Sequence, residues 1–410
     1  MEYVIVGNSA GAIGCIEGIR QVDKTGHITL ISSEPYHTYS RPLISYLLCG
    51  KTDEQRMKYR PDGYYRKMDC TAMLGRTASR IDPQKKSVFL ENGEVVVYDK
   101  LMVAAGSRPF VPPMDGLDKV ENCFSFMSLD DAKTLVNVLT SSSRVLIIGA
   151  GLIGLKCAEG IRDKVKSITV VDLSNRILPS ILDEEGSAMV QKHIEKQNVS
   201  IILEQSVKEF SPTSALLTSG QRVTFDILVV AVGVRPNIDL LAAAGAKVER
   251  GVLTDDCCRT SLKDIYAAGD CTQSMDITTG QSRILALLPN AYAQGECAGI
   301  HMAGGEKRYN KAIPMNAVGF FGLHIITAGN YDGEAYITRE QDAYKKLVVK
   351  NNLLKGYILI GDIQRAGIYT SLIRERTPLD TIDFQLIREK PQLMAFSRAE
   401  RERKLGENRI

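Results

Sequence analysis

Short runs of consecutive apolar residues, each broken by glycine and followed by an amphipathic stretch, punctuate this chain. Tyr3-Val4-Ile5-Val6 is the first, and a run without polar alternation describes a strand buried on both faces. Ile16, Ile19 and Val22 then recur at helical spacing, and His27-Ile28-Thr29-Leu30-Ile31 reads as the next strand. The same order returns with the strand Val145–Ile148, the helix face Leu155, Ala158 and Ile161, and the strand Ile168–Val171. Two more buried runs, 101–103 and 227–232, break at Gly106 and Gly233. Between these elements a helix is expected from Ser40 as N-cap to Gly50, with Pro42 in its first turn and Leu43, Tyr46 and Leu47 on one face. A hairpin turning at Glu91-Asn92-Gly93 joins two arms over 88–97, and a helix covers Leu129 to Leu139. Further on, Leu347 to Ile360 alternate as a hairpin around Asn351-Asn352, and 367–376 is compatible with a helix.

The glycines at the strand ends carry the chemistry. Gly7-Asn8-Ser9-Ala10-Gly11-Ala12 follows the first strand and opens the first helix, and Glu34 closes the second strand about twenty residues later, which is the layout of a dinucleotide site. Gly7 permits the tight turn. The small residues Ser9, standing where the motif has its middle glycine, and Ala12, where it has the third, let a pyrophosphate approach the helix N-terminus. At Gly149-Ala150-Gly151-Leu152-Ile153-Gly154 the motif is intact, with Asp172 at the end of the following strand. An acid there favours NADH over NADPH, because it accepts from ribose hydroxyls and repels a 2′-phosphate, although Arg176 is near. A third stretch, Asp264 to Asp270, is a strand ending in Gly269-Asp270 ahead of a segment that can form a helix, which sets a carboxylate beside a polyol-like ligand. Leu288-Pro289-Asn290-Ala291 then starts a helix whose N–H groups can face an anionic ring edge.

Composition narrows the class. With 410 residues, 44% hydrophobic and 24% charged, the chain should hold two or three domains. A net charge of +3 implies no nucleic-acid or membrane partner, and the tail from Arg398 to Arg409 reads as a solvated helix. The first strand leaves no room for a signal peptide and no run is long enough to span a bilayer, so a cytoplasmic protein is expected. The nine cysteines show no C-x-x-C spacing, and with five scattered histidines they predict no protein-bound metal. Cys257-Cys258 and Cys271 read as packing residues.

Together these stretches resemble the two-dinucleotide-fold flavoproteins of the pyridine nucleotide-disulfide oxidoreductase superfamily. The resemblance implies an α/β fold with two Rossmann-like, glutathione-reductase-like domains and a small C-terminal α+β domain. It implies FAD in residues 1–110 and 246–325, NAD(H) in 111–245, and a C-terminal interface domain over 326–410. On this likeness Gly7, Ser9, Ala10, Gly11, Ala12, Glu34, Arg41, Pro42, Ala105, Gly106, Arg108, Gly269, Asp270, Pro289, Asn290 and Ala291 serve FAD. Gly149, Gly151, Leu152, Ile153, Gly154, Asp172 and Gly233 serve NADH. Tyr39 to Tyr46 and Leu353 to Pro378 look most like the branch of NADH:rubredoxin oxidoreductase and the nitrite reductase N-terminus, with the flavin subunits found beside carbon monoxide dehydrogenase.

In disulfide reductases a reactive cysteine sits beside the flavin. Laid on this chain, that position falls near Arg41, and Cys49 is about 12 Å further along a helix. The resemblance therefore implies hydride transfer from NADH to the flavin and single-electron exchange with a ferredoxin-like or rubredoxin acceptor, without a dithiol. Lys156, where relatives often carry Glu, and Arg41 are the candidate catalytic cations; a surface lysine and a local ion pair are the alternatives. An NADH oxidase or peroxidase, and a flavin subunit docked in a larger complex, remain open, as does a homodimer.

Overall fold

The computed structural model describes residues 1–406, and the end of the basic tail, Arg409 included, lies outside the described residues. The chain divides into two compact units. The first holds both nucleotide folds.

Its first sheet is parallel, in the order Ile265–Ala267, Lys100–Val103, Glu2–Val6, His27–Ser32, Cys70–Leu74. Parallel strands covered on both faces must be apolar throughout, and Val4, Ile5, Leu30 and Met102 are at most 1% exposed. Each aliphatic side chain so buried contributes about 2 kcal/mol. The second sheet repeats the plan in the order Val199–Ile202, Ser167–Val171, Arg144–Ile148, Ile227–Val230, Cys123–Phe124.

The repetition reaches single residues. Each fold carries a three-stranded antiparallel sheet, 78–97 in one and 207–224 in the other. Each then has an aromatic residue and an aspartate, Tyr98-Asp99 and Phe225-Asp226. Both aspartates accept from the backbone N–H that opens the fold's first strand, Asp99 from Glu2 and Asp226 from Arg144, each at 2.8 Å. Past the next strand, Ser107–Pro109 and Val234–Pro236 pair antiparallel, so the two folds meet through the same exit turn.

Two elements differ from the sequence expectation. The helix expected from Ser40 is a 3-10 turn, Arg41–Leu43, followed by a short helix, Ile44–Leu48, and the Ser40 side chain makes no cap bond. Pro42 suits the first turn, but contacts with other elements decide the buried face, which is Ile44, Ser45 and Leu48 rather than Leu43, Tyr46 and Leu47. After Gly269-Asp270 the chain forms a strand, Thr272–Asp276, not a helix. Its start pairs in parallel with Val252–Leu253, an edge that local propensity cannot report.

The helices Ala10–Val22 and Leu288–Met302 pack through glycine. A Cβ at Gly14 would lie 2.2 Å from the Tyr292 carbonyl oxygen, one at Gly295 1.9 Å from that of Gly11, and one at Gly299 2.2 Å from that of Cys15. Backbones this close exclude any side chain between them.

The second unit comprises 180–190, 276–281 and the chain from Lys311. Its antiparallel sheet runs Met315–Phe320, Leu323–Gly329, Leu353–Ile360, Tyr344–Lys350, Glu334–Arg339. The sheet thus begins ahead of residue 326, because its first two strands form a hairpin. Asn351 and Asn352 take φ of +54° and +58°, the geometry of a two-residue hairpin turn. The helix Ala366–Glu375 covers this sheet with Tyr369, Leu372 and Ile373, and the tail forms a helix, Arg398–Gly406. Among the described residues no helix is long and apolar enough to cross a membrane.

Candidate functional site

In the first fold Gly7 has φ of +117°, and a Cβ there would meet the Ala104 carbonyl oxygen at 2.3 Å. Only glycine fits this turn. The helix Ala10–Val22 begins at Ser9 without a side-chain cap, so its first N–H groups point out of the turn toward any ligand. Beside it, Glu34 accepts from the Arg41 guanidinium at 2.5 Å and from the Tyr39 hydroxyl at 2.8 Å. Burial opposes the Arg41 charge, yet Tyr39 and Glu34 outweigh it and raise the guanidinium pKa, with Asp270 adding to the effect. The ion pair considered for Arg41 is therefore present, and it engages the acid expected to hold a ribose.

Asp270 follows Gly269, whose φ is +82° and whose N–H donates to the Gln294 side chain at 2.8 Å. The Ser107 hydroxyl donates to Asp270 at 3.2 Å. Burial pushes the carboxyl's pKa up, opposed by Ser107 and by the Arg41 charge. A partly buried carboxyl such as this is suited to hydroxyl donors. The helix Leu288–Met302 starts beside it with Pro289 in the first turn and no side-chain cap, and it buries Asn290 and Ala291. Of the exit turn, the Ala105 and Gly106 carbonyls accept from Asn237 at 2.8 and 3.0 Å, while Arg108 pairs with Asp239 at 2.7 Å and is half exposed. Arg41, Glu34 and Asp270 come together; Arg108 stands on the surface, and Pro42 is exposed. Sequence reading missed Tyr39, Ser107 and Gln294. Only Gln294 left a signal, a polar residue on the apolar face of its helix.

In the second fold Gly149 has φ of +112°, and its Cβ would meet the Ala231 carbonyl oxygen at 2.3 Å. At Gly154 a Cβ would lie 2.0 Å from the Gly149 carbonyl oxygen. Gly151 differs, since an added Cβ there meets nothing within 4 Å. Internal packing does not require that glycine. The free space lies at the N-terminus of the helix Leu152–Ile161, again without a side-chain cap, which fits a pyrophosphate. Leu152 and Ile153 are partly exposed in its first turn, and Gly233 is exposed with φ of +124°. Asp172 accepts from the Ala150 and Ser174 N–H groups at 2.6 and 2.7 Å. Gly151→Ala should leave the thermal midpoint unchanged and weaken NADH binding about tenfold, read from the change in NADH fluorescence on binding. Unchanged NADH affinity would reject the cradle.

Lys156 is not a surface lysine. Its side chain is 16% exposed, pairs with Glu159, and lies 4.6 Å from the Tyr46 ring centre. The nine cysteines are free thiols, and seven are buried, among them Cys257, Cys258 and Cys271. Cys49 ends the helix Ile44–Leu48 with its Sγ directed to the Tyr46 carbonyl. The 3-10 start lengthens its path from Arg41 rather than shortening it.

A family model described as pyridine nucleotide-disulphide oxidoreductase matches residues 1–295. The chain belongs to this family. It is an oxidoreductase whose dinucleotides are FAD and NAD(H), and the two glycine cradles fit that pair. A second model, the rubredoxin NAD+ reductase C-terminal domain, matches 314–377. The NADH-dependent phenylglyoxylate dehydrogenase subunit epsilon of Aromatoleum evansii is 29% identical over 391 residues, covering 92% of each chain. The assimilatory nitrate reductase electron transfer subunit of Bacillus subtilis is 28% identical over 388 residues; the match covers 92% of this chain and only 49% of that protein. Among solved structures, putidaredoxin reductase in its covalent complex with putidaredoxin has a TM-score of 0.87 at 22% identity, covering 96% of this chain and 97% of that one, a likeness of fold.

Proposed function

We propose that this oxidoreductase moves electrons between NADH and a small iron–sulfur protein, ferredoxin-like or rubredoxin, with no thiol relay. The match of residues 314–377 to the rubredoxin reductase C-terminal domain carries the reading, and Arg41 at the expected thiol position supports it. Residues 1–110 and 246–325 would hold FAD, 111–245 NADH, and 326–410 would face a partner or a second copy of the chain. Bound FAD would take a hydride from NADH and release the two electrons singly. The chain's part is to place the two ligands. The Gly7 and Gly149 turns bring backbone N–H groups to the pyrophosphates, Asp270 takes ribityl hydroxyls, and Glu34 and Asp172 take the riboses once they leave their present donors. Leu152 and Ile153 would flank the nicotinamide.

A second reading, a flavin subunit docked in a larger electron-transfer complex, is favoured by the two relatives named as subunits. A partner of the kind that serves carbon monoxide dehydrogenase, working in the cytoplasm, belongs to either reading.

Anaerobic reduction by NADH, followed by oxidised rubredoxin or ferredoxin in one sample and air in another, tests the proposal. Rapid bleaching of the flavin and fast reoxidation only by the iron–sulfur protein is the expected result. Fast reoxidation by air or peroxide that Cys49→Ser abolishes would replace it with the oxidase or peroxidase reading. Bleaching by NADH with no reoxidation by either carrier would favour the docked subunit.

A further inference from the structure

We propose that Tyr39 is a positioning residue whose hydroxyl sets the second nucleotide fold against the first. The inference rests on the reading above, in which hydride passes between ligands held by the two folds, and it assigns a residue that no sequence motif marks. Tyr39 is buried, 8% exposed. Its hydroxyl donates to Glu34 Oε2 at 2.8 Å, and accepts from the Leu129 backbone N–H at 3.1 Å and from Arg41 Nη1 at 3.3 Å. A phenol has one hydrogen and two lone pairs, so these contacts use its whole capacity and fix its orientation. Burial and the Glu34 charge raise its pKa against the pull of Arg41, and the proton stays on the phenol to serve Glu34.

Leu129 opens the helix Leu129–Val138, which is already capped by its own residues. Ser128 Oγ accepts from the Asp131 N–H at 3.0 Å, and the Asp131 carboxylate accepts from the Ser128 N–H at 2.9 Å. This cap does not serve the Leu129 N–H, and Tyr39 takes it from 90 residues away. Nearby, the Tyr36 hydroxyl donates to Asp130, and the Lys133 ammonium lies 4.5 Å from the Tyr36 ring centre. The start of the helix is thus tied to the segment that follows Glu34. That segment leaves the strand His27–Ser32 of the first sheet. The helix belongs to the other fold: Cys123–Phe124 ahead of it lies in the second sheet, and the chain after it enters Arg144–Ile148, which ends at the Gly149 turn. One hydroxyl therefore joins the acid of the first cradle to the element that feeds the second. Hydride transfer depends on such placement, since a shift of about 1 Å can cost roughly 100-fold in rate.

The test uses the FAD-loaded protein and reads the rate of flavin reduction at saturating NADH separately from the NADH dissociation constant. Tyr39→Phe keeps the ring and removes the hydroxyl. The saturating rate should fall about tenfold with the dissociation constant unchanged, because the second cradle stays intact and only its placement moves. A residue that served stability alone would lower the thermal midpoint without that split. Leu129→Pro isolates the shared bond: proline suits the first helical position, Ser128 before it is already extended at φ of −111° and ψ of 168°, and the N–H that Tyr39 accepts is removed. Leu129→Ala keeps that N–H and is the control for the buried side chain. The proline variant should be as slow as Tyr39→Phe, the alanine variant should keep most of the parent rate, and the Tyr39→Phe, Leu129→Pro double variant should be no slower than either single one. A proline variant no slower than the alanine variant, or a double variant in which the two losses multiply, would overturn the assignment. Where the proline variant does not fold, the Tyr39→Phe split decides alone. Exchange of the Leu129 amide hydrogen, which needs no NADH, should quicken about tenfold in Tyr39→Phe, and unchanged exchange would reject the tie. Failure of NADH to reduce the parent protein would sink the functional reading, and the amide exchange would still decide whether Tyr39 holds the helix.

Discussion

Gly295→Val is expected to cost the first unit its stability and its flavin together. The added side chain has no place to go: an ideal Cβ already lies 1.9 Å from the Gly11 carbonyl oxygen and 3.1 Å from the Cys15 nitrogen. Both are rigid backbone, so the helices Ala10–Val22 and Leu288–Met302 must part. Overpacking of this kind costs about 3 kcal/mol or more, a large share of the roughly 5–15 kcal/mol that holds a protein folded. Because Gly11 is also part of the first cradle, the turn that should hold the pyrophosphate moves with it. A thermal midpoint lower by roughly 10 °C and a preparation without flavin absorbance are the measurements to expect. Gly367→Ala is the control. It lies inside the helix Ala366–Glu375 with open space around it, so alanine there should stabilise by about 0.5–1 kcal/mol. A Gly295→Val protein that melts like the parent and stays yellow would show that the two helices are not locked by backbone contact.

Asp270→Ala should separate cofactor binding from stability. Losing a charged acceptor for ribityl hydroxyls removes about 1.5–3 kcal/mol of binding, a roughly 10- to 100-fold weaker affinity when FAD is titrated into apoprotein. The flavin-free fold should not suffer. Burial raises the Asp270 pKa above its unfolded value, so the folded state binds the proton more tightly than the unfolded one. Its contribution to the apoprotein is then fully present below the ordinary carboxylate pKa and is lost as pH rises through the raised folded value. At neutral pH the ionised group is a cost, and alanine removes it. The apoprotein of the variant should melt at or above the parent temperature at pH 7 and lose that pH dependence. Unchanged FAD affinity would remove Asp270 from the site.

The C-terminal hairpin shows what a short pattern can specify. Alternation on either side of Asn351-Asn352 names both strands, and asparagine tolerates the left-handed backbone that such a turn needs. The segment after Ser40 shows the limit. A cap residue and a proline at the first turn predicted one helix, but the direction of its buried face was set by the helix Leu152–Ile161, more than a hundred residues away. The strand Thr272–Asp276 was missed because it is held between Val252–Leu253 and Gln281–Arg283 in its sheet, and neither neighbour is announced by an apolar alternation in its own residues.

By itself the sequence determined the two nucleotide folds, the glycine turns at residues 7 and 149, the acids at 34, 172 and 270, and the family to which these belong. Each is written within about thirty residues, where strand, turn and helix must agree locally. Only the tertiary structure decided that Glu34 is held by Arg41 and Tyr39, that Gln294 supports the Gly269 turn, that Gly295 meets Gly11, and that Lys156 lies between Glu159 and Tyr46. Gly295 with Gly11 and Lys156 with Tyr46 join distant parts of the chain, and even the nearer contacts depend on burial and on the approach of other helices, which hydrophobic periodicity does not encode: it fixes that a face is buried, and packing chooses what lies against it.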